Sequence, residues 1–310
     1  ADTIAPMGTV SIAADSWAEF LNNITFGLLF KQTQSVSVVA DDNLSGVDKI
    51  EYASADKAMT LDEVKAITDR TEYTDSFGGA EEDEKKFAYF IRITDKAGNV
   101  AYLSTDGAEY DTTAPVIEGV ENGKTYYTTQ KVTVTDKNLD TVTVNGTPVF
   151  DPTDFSLPGN TDVEYVVTAA DKVGNTTTVT VTMKPIKELV KTTENLGSDN
   201  VTSDDAPALE ELAEELDKWI ADPDTSDDGE RETLQQHKVI VDSLLQAIED
   251  AAKAADTETT QKVEDVTAEN VKPEDKEALE DAKADFEKAL EENSGNYTED
   301  EKKTIEEQID

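Results

Sequence analysis

The sequence predicts a multidomain chain in which two all-β sandwiches are followed by all-α, three-helix-bundle repeats. Three observations lead to this fold class. Up to about residue 184, apolar and polar residues alternate along many short segments, which is the period of a β-strand. After Lys184-Pro185 the apolar period lengthens to about 3.6 residues, which is that of an α-helix. Two short motifs also recur along the first part of the chain, where they mark the ends of similar units.

The first recurring motif is Asp-Lys-x-Gly-Asn, which occupies residues 95–99 and 171–175. Each copy follows a run in which every second residue is apolar, as a strand with one buried face requires. Gly98 and Gly174 can adopt positive φ, and the flanking Asp and Asn side chains can bond the backbone of the turn. The motif therefore predicts a hairpin between the last two strands of a β domain.

The second motif is Asp-Thr-Thr-Ala-Pro at residues 111–115, which recurs with one change as Asp-Thr-Ile-Ala-Pro at residues 2–6. Pro115 holds the preceding residue extended and has no N–H to donate, so it suits the beginning of an edge strand. The motif therefore predicts a joint at which a new β domain begins.

A closing Asp-Lys-x-Gly-Asn hairpin followed by this joint resembles the tandem bacterial immunoglobulin-like domains of Gram-positive surface proteins and of secreted glycan-active enzymes. The resemblance covers residues 1 to about 185. It implies one Ig-like sandwich with short helical insertions at residues 1–110 and a smaller one at residues 111–184. Because such domains serve many proteins as spacers, the resemblance specifies the fold better than the function.

The two helical insertions are predicted from local patterns. Thr60-Leu61-Asp62-Glu63 is a capping box, which predicts a helix from Leu61 to about Thr68. A helical turn is predicted for residues 17–24, where four apolar residues stand at helical spacing: Trp17, Phe20, Leu21 and Ile24. In the smaller domain, Asn145-Gly146 predicts a tight hairpin turn.

The chain after Pro185 is predicted to consist of three-helix-bundle repeats. Residues 200–210 align with residues 270–280, at an offset of 70 residues. We therefore expect one bundle at residues 185–256 and a second, truncated copy at residues 257–310. Both copies resemble the small helical repeats that follow Ig-like domains in Gram-positive cell-wall proteins.

The composition excludes several classes of function. The formal net charge is −42, a sign that repels nucleic acid and anionic membranes. No segment approaches the ~20 apolar residues of a membrane span, so no membrane insertion is expected in this segment. The absence of cysteine excludes disulfides and thiolate chemistry. His237 is the one histidine, and no catalytic motif accompanies it, so the chain is not expected to be an enzyme and no catalytic residue is named.

A few residues are candidates for binding. The aromatic side chains that could stack on a glycan are Trp17, Tyr126 and Tyr127, with packing against a sheet as the alternative for each. The carboxylates that could hold calcium, the one cofactor considered, are Asp95, Asp111 and Asp171, which lie in turns or joints. Plain turn chemistry is the alternative for these carboxylates.

The function predicted from the sequence is a non-catalytic extracellular stalk or spacer of a bacterial surface protein, held at the cell surface or cell wall and able to contribute to adhesion. A monomer is expected, and a host or dietary glycan or a surface protein is the partner considered. One alternative is the accessory region of a secreted glycan-active enzyme. Another is a glycan-binding adhesin module.

Overall fold

The computed structural model describes residues 2–78, 82–292 and 294–310. In the described chain up to Met183, the regular elements are β-strands and one short helix, and all later regular elements are helical. The predicted order, β domains first and helices after Lys184-Pro185, is confirmed.

The chain divides into two compact units. The first unit comprises Ala1–Glu118, Thr133–Thr153 and Val166–Val179. The second comprises Gly119–Val132, Asp154–Tyr165 and Thr180–Asp310. This division passes through the region of the smaller predicted β domain, whose boundaries stay predictions.

The first nine strands are β1 (Met7–Ile12), β2 (Asp15–Trp17), β3 (Leu28–Phe30), β4 (Val36–Asp41), β5 (Val47–Ala55), β6 (Thr71–Glu72), β7 (Lys86–Asp95), β8 (Val100–Ser104) and β9 (Ala108–Tyr110). One sheet has the order β2-β1-β4, and the other has the order β3-β9-β7-β5-β6 with β8 on β7. Apolar residues of both sheets form one core, which includes Val10 and Ile12 of β1, Val36 of β4 and Ile91 of β7.

Strand β7 is buried on both faces, whereas the alternating pattern predicted one buried face. Phe87 and every second residue up to Ile93 lie in the core between the two sheets, as the alternation predicts. Ala88 and Phe90 point the other way and pack in a second cluster with Ile24 and Val64. The chain segments that carry Ile24 and Val64 therefore cover the outer face of the sheet.

One of the two predicted helical insertions forms. Helix α1 (Leu61–Lys65) begins at the predicted capping box, in which the Thr60 hydroxyl accepts a hydrogen bond from the Glu63 N–H and the Glu63 carboxylate accepts one from the Thr60 N–H. It ends at Lys65 rather than near Thr68.

The helical turn predicted for residues 17–24 is wrong. Trp17 instead belongs to β2 and pairs with Val10 of β1. Its side chain packs on the core between the sheets, whereas Phe20 and Leu21 pack on the outer cluster. The four apolar residues thus serve two separate clusters, so their helical spacing does not reflect one helix face.

Eight further strands follow: β10 (Val116–Glu118), β11 (Thr125–Tyr126), β12 (Gln130–Thr135), β13 (Leu139–Val144), β14 (Thr147–Pro148), β15 (Phe155–Leu157), β16 (Val163–Asp171) and β17 (Thr176–Met183). They form two sheets, with the orders β10-β12-β15 and β11-β17-β16-β13-β14. Strand β10 lies at a sheet edge, as the preceding Pro115 predicts. The Asn145-Gly146 turn joins β13 to β14 with φ of +49° and +78°, as predicted for this dipeptide.

The helices are α2 (Ile186–Leu189), α3 (Ala206–Ala221), α4 (Asp228–Val263), α5 (Lys276–Glu292) and α6 (Glu299–Ile309). Helix α4 has 36 residues and runs through the predicted repeat boundary at residue 256 without interruption. Among the residues that the structure describes, no helix has the length and apolar composition needed to cross a membrane.

Candidate functional site

The two Asp-Lys-x-Gly-Asn turns have the same hydrogen bonds. Asp95 Oδ1 accepts from the backbone N–H groups of Ala97 and Asn99, both at 2.8 Å, and Asn99 Nδ2 donates to Asp95 Oδ2 at 2.7 Å. In the second copy, Asp171 and Asn175 make the equivalent contacts at 2.9 Å and 2.6 Å. The predicted positive φ is confirmed at both glycines, with +92° at residue 98 and +87° at residue 174.

Each turn also bonds to the joint that opens its own β domain. The Asn175 amide donates to the carbonyl oxygens of Asp111 and Thr113, at 3.0 Å and 3.3 Å. The Asn99 amide donates to the carbonyl oxygen of Asp2 at 3.4 Å. The closing turn and the opening joint therefore form one hydrogen-bonded feature, which we call the turn–joint unit.

A cluster of three carboxylates lies at each turn–joint unit, with one carboxylate from the joint, one from the turn and one from a loop that follows another strand. The first consists of Asp2, Asp42 and Asp95, and the second of Asp111, Asp136 and Asp171. In each cluster one oxygen from every carboxylate lies within 4.8 Å of the others. Oxygens around one Ca²⁺ lie about 2.3–2.6 Å from the ion, so one ion could contact all three carboxylates of a cluster.

The structure thus brings two of the three candidate calcium ligands together. Asp111 and Asp171 share the second cluster, and Asp95 belongs to the first. Sequence reasoning missed Asp2, Asp42 and Asp136. A signal for two of them exists, since both Asp42 and Asp136 follow the end of a strand and precede an Asn-Leu pair, at residues 43–44 and 138–139.

Hydrogen-bond donors compensate part of the negative charge in these clusters. Burial raises the pKa of Asp95, but the hydrogen bonds from Asn99 and from the backbone of Ala97 outweigh it and hold this pKa below its usual value. The pKa of Asp136 is instead raised, because burial and the charges of Asp111 and Asp171 outweigh the hydrogen bond from the Asn138 backbone. The second cluster is therefore the one in which a cation would relieve more repulsion.

The second cluster is also open to ions from solution. Asp111 and Asp136 line a cavity of about 410 Å³ in the first unit, together with Asp83, Glu84 and Glu109. Among the described residues that line it, Lys137 is the one basic residue, and it bonds to Glu109 and lies 3.4 Å from Glu84. Such an excess of carboxylates favours cations over anions or neutral ligands.

The candidate aromatic residues belong to different units. Trp17 is half-buried on the core of the first unit, which fits the packing alternative. Tyr126 and Tyr127 both lie in the second unit and meet the ring of Trp219 edge-on, each with 5.7 Å between ring centroids. Tyr126 is only 3 % exposed, so it is not part of an exposed aromatic pair, and Tyr127 is half-buried.

No protein family and no curated protein sequence matches this chain. Among solved structures, it is similar to the fibronectin(III)-like modules of CbhA from Clostridium thermocellum, at 12 % identity over 57 % of this chain and 95 % of that chain, with a TM-score of 0.28. SGBP-B of the mixed-linkage glucan utilization locus of Bacteroides ovatus, solved with a mixed-linkage heptasaccharide, is 12 % identical over 58 % of this chain and 48 % of that chain (TM-score 0.23). A 1.5-MDa bacterial ice-binding adhesin is 16 % identical over 50 % of this chain and 59 % of that chain (TM-score 0.23). Likenesses this distant carry no functional information.

Proposed function

We propose that this chain is a non-catalytic extracellular spacer of a bacterial surface protein, built from two Ig-like β-sandwiches and a series of three-helix-bundle repeats. The observation that carries the proposal is helix α4, which two successive helical repeats share. A spacer must keep its shape between the parts that it separates, and a helix without a joint bends less than two helices joined by a loop.

The first half of α4 packs on α3. Four buried residues of α3, Leu209, Leu212, Leu216 and Trp219, lie on its apolar face. The buried residues in the first half of α4 are Leu234, Val241, Leu244 and Ile248. Burying this set of side chains stabilises the helix far more than its intrinsic propensity does.

The second half of α4 packs on α5 and α6. Tyr297 donates a hydrogen bond to Asp256, Lys253 pairs with Glu301 at 3.1 Å, and Thr260 bonds to Gln308. One helix of about 54 Å, at 1.5 Å per residue, therefore contacts helices on both sides of the predicted repeat boundary, and in the proposed function it belongs to both repeats. The repeats cannot rotate about a flexible linker, because no linker separates them.

The turn–joint units support the same function in the β part. Each unit connects the beginning of a β domain to its last hairpin by hydrogen bonds, which oppose local unfolding of the chain at the joint. The calcium prediction made from the sequence belongs here, because an ion on the second cluster would hold the joint residue Asp111 to the turn residue Asp171.

The proposal also holds that the chain has no catalytic activity. His237 is half-buried on α4, a helix whose role here is packing. The carboxylate clusters bond mainly to the backbone of their own turns, which fits a structural role better than proton transfer. The accessory region of a glycan-active enzyme would have the same properties and stays the alternative.

A height measurement tests the spacer function. The chain is attached to a surface by one end, and a fluorophore at the other end reports its height by distance-dependent quenching. We expect a larger and more narrowly distributed height than for a Gly/Ser linker of the same 310 residues, which behaves as a random coil. Equal distributions for the two chains would contradict the spacer function.

A further inference from the structure

The loop between α3 and α4, residues 222–227, lies against strand β12 within the second unit. The Lys131 N–H donates to the Asp224 carbonyl oxygen at 2.8 Å, and the Ser226 N–H donates to the Thr129 carbonyl oxygen at 2.9 Å. These two bonds flank an antiparallel bridge between the loop and β12. The α3–α4 loop therefore adds to β12 in the manner of a short strand.

Side chains hold the same loop from both sides. On the side of β12, the hydroxyls of Thr128 and Thr225 share a hydrogen bond of 2.9 Å, and both residues are buried. On the side of α4, Arg231 donates to the carbonyl oxygens of Asp222 and Thr225, at 3.2 Å and 2.8 Å. The loop thus connects the β segment to the beginning of α4.

Glu230, the third residue of α4, makes a direct contact between this helix and the β segment. Its carboxylate accepts hydrogen bonds from the Thr129 N–H and, at 3.0 Å, from the Thr129 hydroxyl. A glutamate at this position of a helix typically accepts from the N-cap N–H of its own helix. Glu63 of α1 and Glu301 of α6 do so, each at 2.7 Å from the N-cap nitrogen. Glu230 instead uses its carboxylate to hold β12.

This contact also changes the acidity of Glu230. Burial raises the pKa of Glu230, the charge of Asp227 adds to the rise, and the two bonds from Thr129 offset only part of it. The pKa values of Glu63 and Glu301 are lowered, first of all by the bonds from their N-cap backbone. The same helix position therefore has opposite acidity where it contacts the β segment.

Two basic residues lie on the segments that hold Glu230, and both have other partners. Arg231 donates to backbone carbonyl oxygens of the loop, and Lys131 lies 3.4 Å from Asp154. The acidic groups on these segments besides Asp154 are Asp222, Asp224, Asp227 and Asp228. An ionised Glu230 thus meets mainly negative charge.

We propose that Glu230 is a proton-sensitive latch, which holds α4 and the α3–α4 loop on β12 more tightly at mildly acidic pH than at neutral pH. The protonated carboxyl can keep both contacts, because its carbonyl oxygen can accept from the Thr129 N–H and its O–H can donate to Thr129 Oγ1. It no longer places a charge in a partly buried position beside Asp227. The latch lies within the second unit and does not depend on the spacer function.

The direction of the pH dependence follows from linkage. A group whose pKa is higher in the closed latch than in the open one takes up protons as the latch closes. Its stabilising contribution is present at low pH and is lost as the pH rises through the raised pKa of Glu230. The latch should therefore open more often at neutral pH.

Hydrogen exchange of single amides, followed by NMR on the full-length chain, tests the proposal. The N–H groups of Lys131 and Ser226 become free to exchange when the loop leaves β12. Their protection factors, which are corrected for the intrinsic effect of pH on exchange, should fall several-fold between about pH 5 and about pH 7. The Gly123 N–H, which donates to the Thr180 carbonyl oxygen at 2.7 Å in the same unit, serves as the reference and should change much less.

Substitutions assign the pH dependence to Glu230. Glu230→Gln resembles the protonated carboxyl, since its amide can accept from the Thr129 N–H and donate to Thr129 Oγ1. Protection of Lys131 and Ser226 should then stay high over the whole pH range. Glu301→Gln is the matched control at the same helix position of α6, and it should leave the pH dependence of these two amides as in the wild-type chain.

A second variant decides the question if Glu230→Gln does not fold. Asp227→Asn removes the neighbouring charge and keeps a good N-cap residue, so it should reduce the pH dependence without abolishing it.

Several results would overturn the proposal. One is equal protection of Lys131 and Ser226 at the two ends of the pH range in the wild-type chain. Greater protection at neutral pH is another. A third is a pH dependence that persists unchanged in Glu230→Gln, or in Asp227→Asn where that variant decides, since another group would then be responsible.

Discussion

At the scale of single residues, the Asn175 amide is the group that connects a closing turn to an opening joint. It donates to Asp171 Oδ2 at 2.6 Å and to the carbonyl oxygens of Asp111 and Thr113. Asn175→Ala leaves two buried acceptors, the Asp111 carbonyl and Asp171 Oδ2, without this donor, so we expect it to lower the free energy of unfolding by about 1–3 kcal/mol. Hydrogen exchange should become faster across β16 and β17, which flank the turn.

Asn99→Ala is the matched control for this prediction. Asn99 is half-buried, and its bond to the joint is long, at 3.4 Å to Asp2 O. Asn99→Ala should lower the free energy of unfolding by less than Asn175→Ala does. Hydrogen exchange should become faster across β7 and β8 only. Equal effects of the two substitutions would contradict the larger contribution of the Asn175 bonds to the joint.

The second carboxylate cluster allows a sharper test at Asp136. Burial and the charges of Asp111 and Asp171 raise its pKa, so its ionised form destabilises the fold when no cation is present. Asp136→Asn should raise the Tm in chelator by roughly 2–4 °C. Calcium should raise the Tm of the wild-type chain and have much less effect on this variant, as measured by thermal melts in calcium and in chelator.

The difference in Tm between Asp136→Asn and the wild-type chain in chelator should depend on pH, and the raised pKa of Asp136 fixes the direction. A raised pKa in the folded state means that protonation stabilises the fold, and this gain is lost as the pH rises through that pKa. The Tm advantage of Asp136→Asn in chelator should therefore be largest near neutral pH and shrink as the pH falls and Asp136 takes up a proton. Superimposable melts in calcium and chelator for the wild-type chain would rule out a calcium site.

Some of the site residues could be identified from the sequence, and others could not. Asp95, Asp111 and Asp171 stand in motifs whose turn chemistry is local, so a pattern identifies them. That Asp111 meets Asp171 while Asp95 meets Asp2 depends on which strands pair, which no local pattern specifies.

At the scale of elements, α4 is the feature that, in the proposed function, couples the two predicted helical repeats. Ala255→Pro would remove a helical hydrogen bond and clash with the preceding turn, at a cost of about 3 kcal/mol or more. Ala255 is exposed and lies in α4 beside the predicted repeat boundary at residue 256. We expect the helical signal of this variant to melt in two steps, where that of the wild-type helical region melts in one.

The control places proline at the first position of the same helix, where proline is tolerated. Asp228 is the first residue of α4, and the preceding Asp227 is extended with φ of −106° and ψ of 112°. The first position of a helix needs no intrahelical N–H bond, so Asp228→Pro should keep a single step. Two melting steps in the wild-type chain would contradict the coupling of the repeats by α4.

The sequence predicted the helical repeat better than the helix that joins its copies. The loops before α3 and α5 are equivalent at the predicted offset: Asn200 Oδ1 accepts from the Gly197 N–H and Asn270 Oδ1 from the Thr267 N–H, both at 2.6 Å. Local polar patterns of this kind survive in the sequence. The continuity of α4 has no comparable signal, because residues 249–262 carry no large apolar side chain and the buried residue there is Thr259.

At the scale of the whole molecule, the same principle operates in both halves of the chain. In the β part, a turn–joint unit holds an opening segment to a hairpin, and in the helical part α4 contacts helices on both sides of the predicted repeat boundary. Neither device needs a ligand or a catalytic group. Both resist local opening, which supports the proposed spacer function.

The most direct test of this account is a distance along α4. The chain has no cysteine, so Val239→Cys and Thr257→Cys, both at exposed positions of α4, can carry two spin labels without side reactions. Across an unbroken helix their backbone positions lie about 27 Å apart, at 1.5 Å per residue. Pulsed dipolar spectroscopy should give one narrow distance distribution near that value. A broad or two-peaked distribution would show that the helix breaks between the repeats, and the spacer account would then fail.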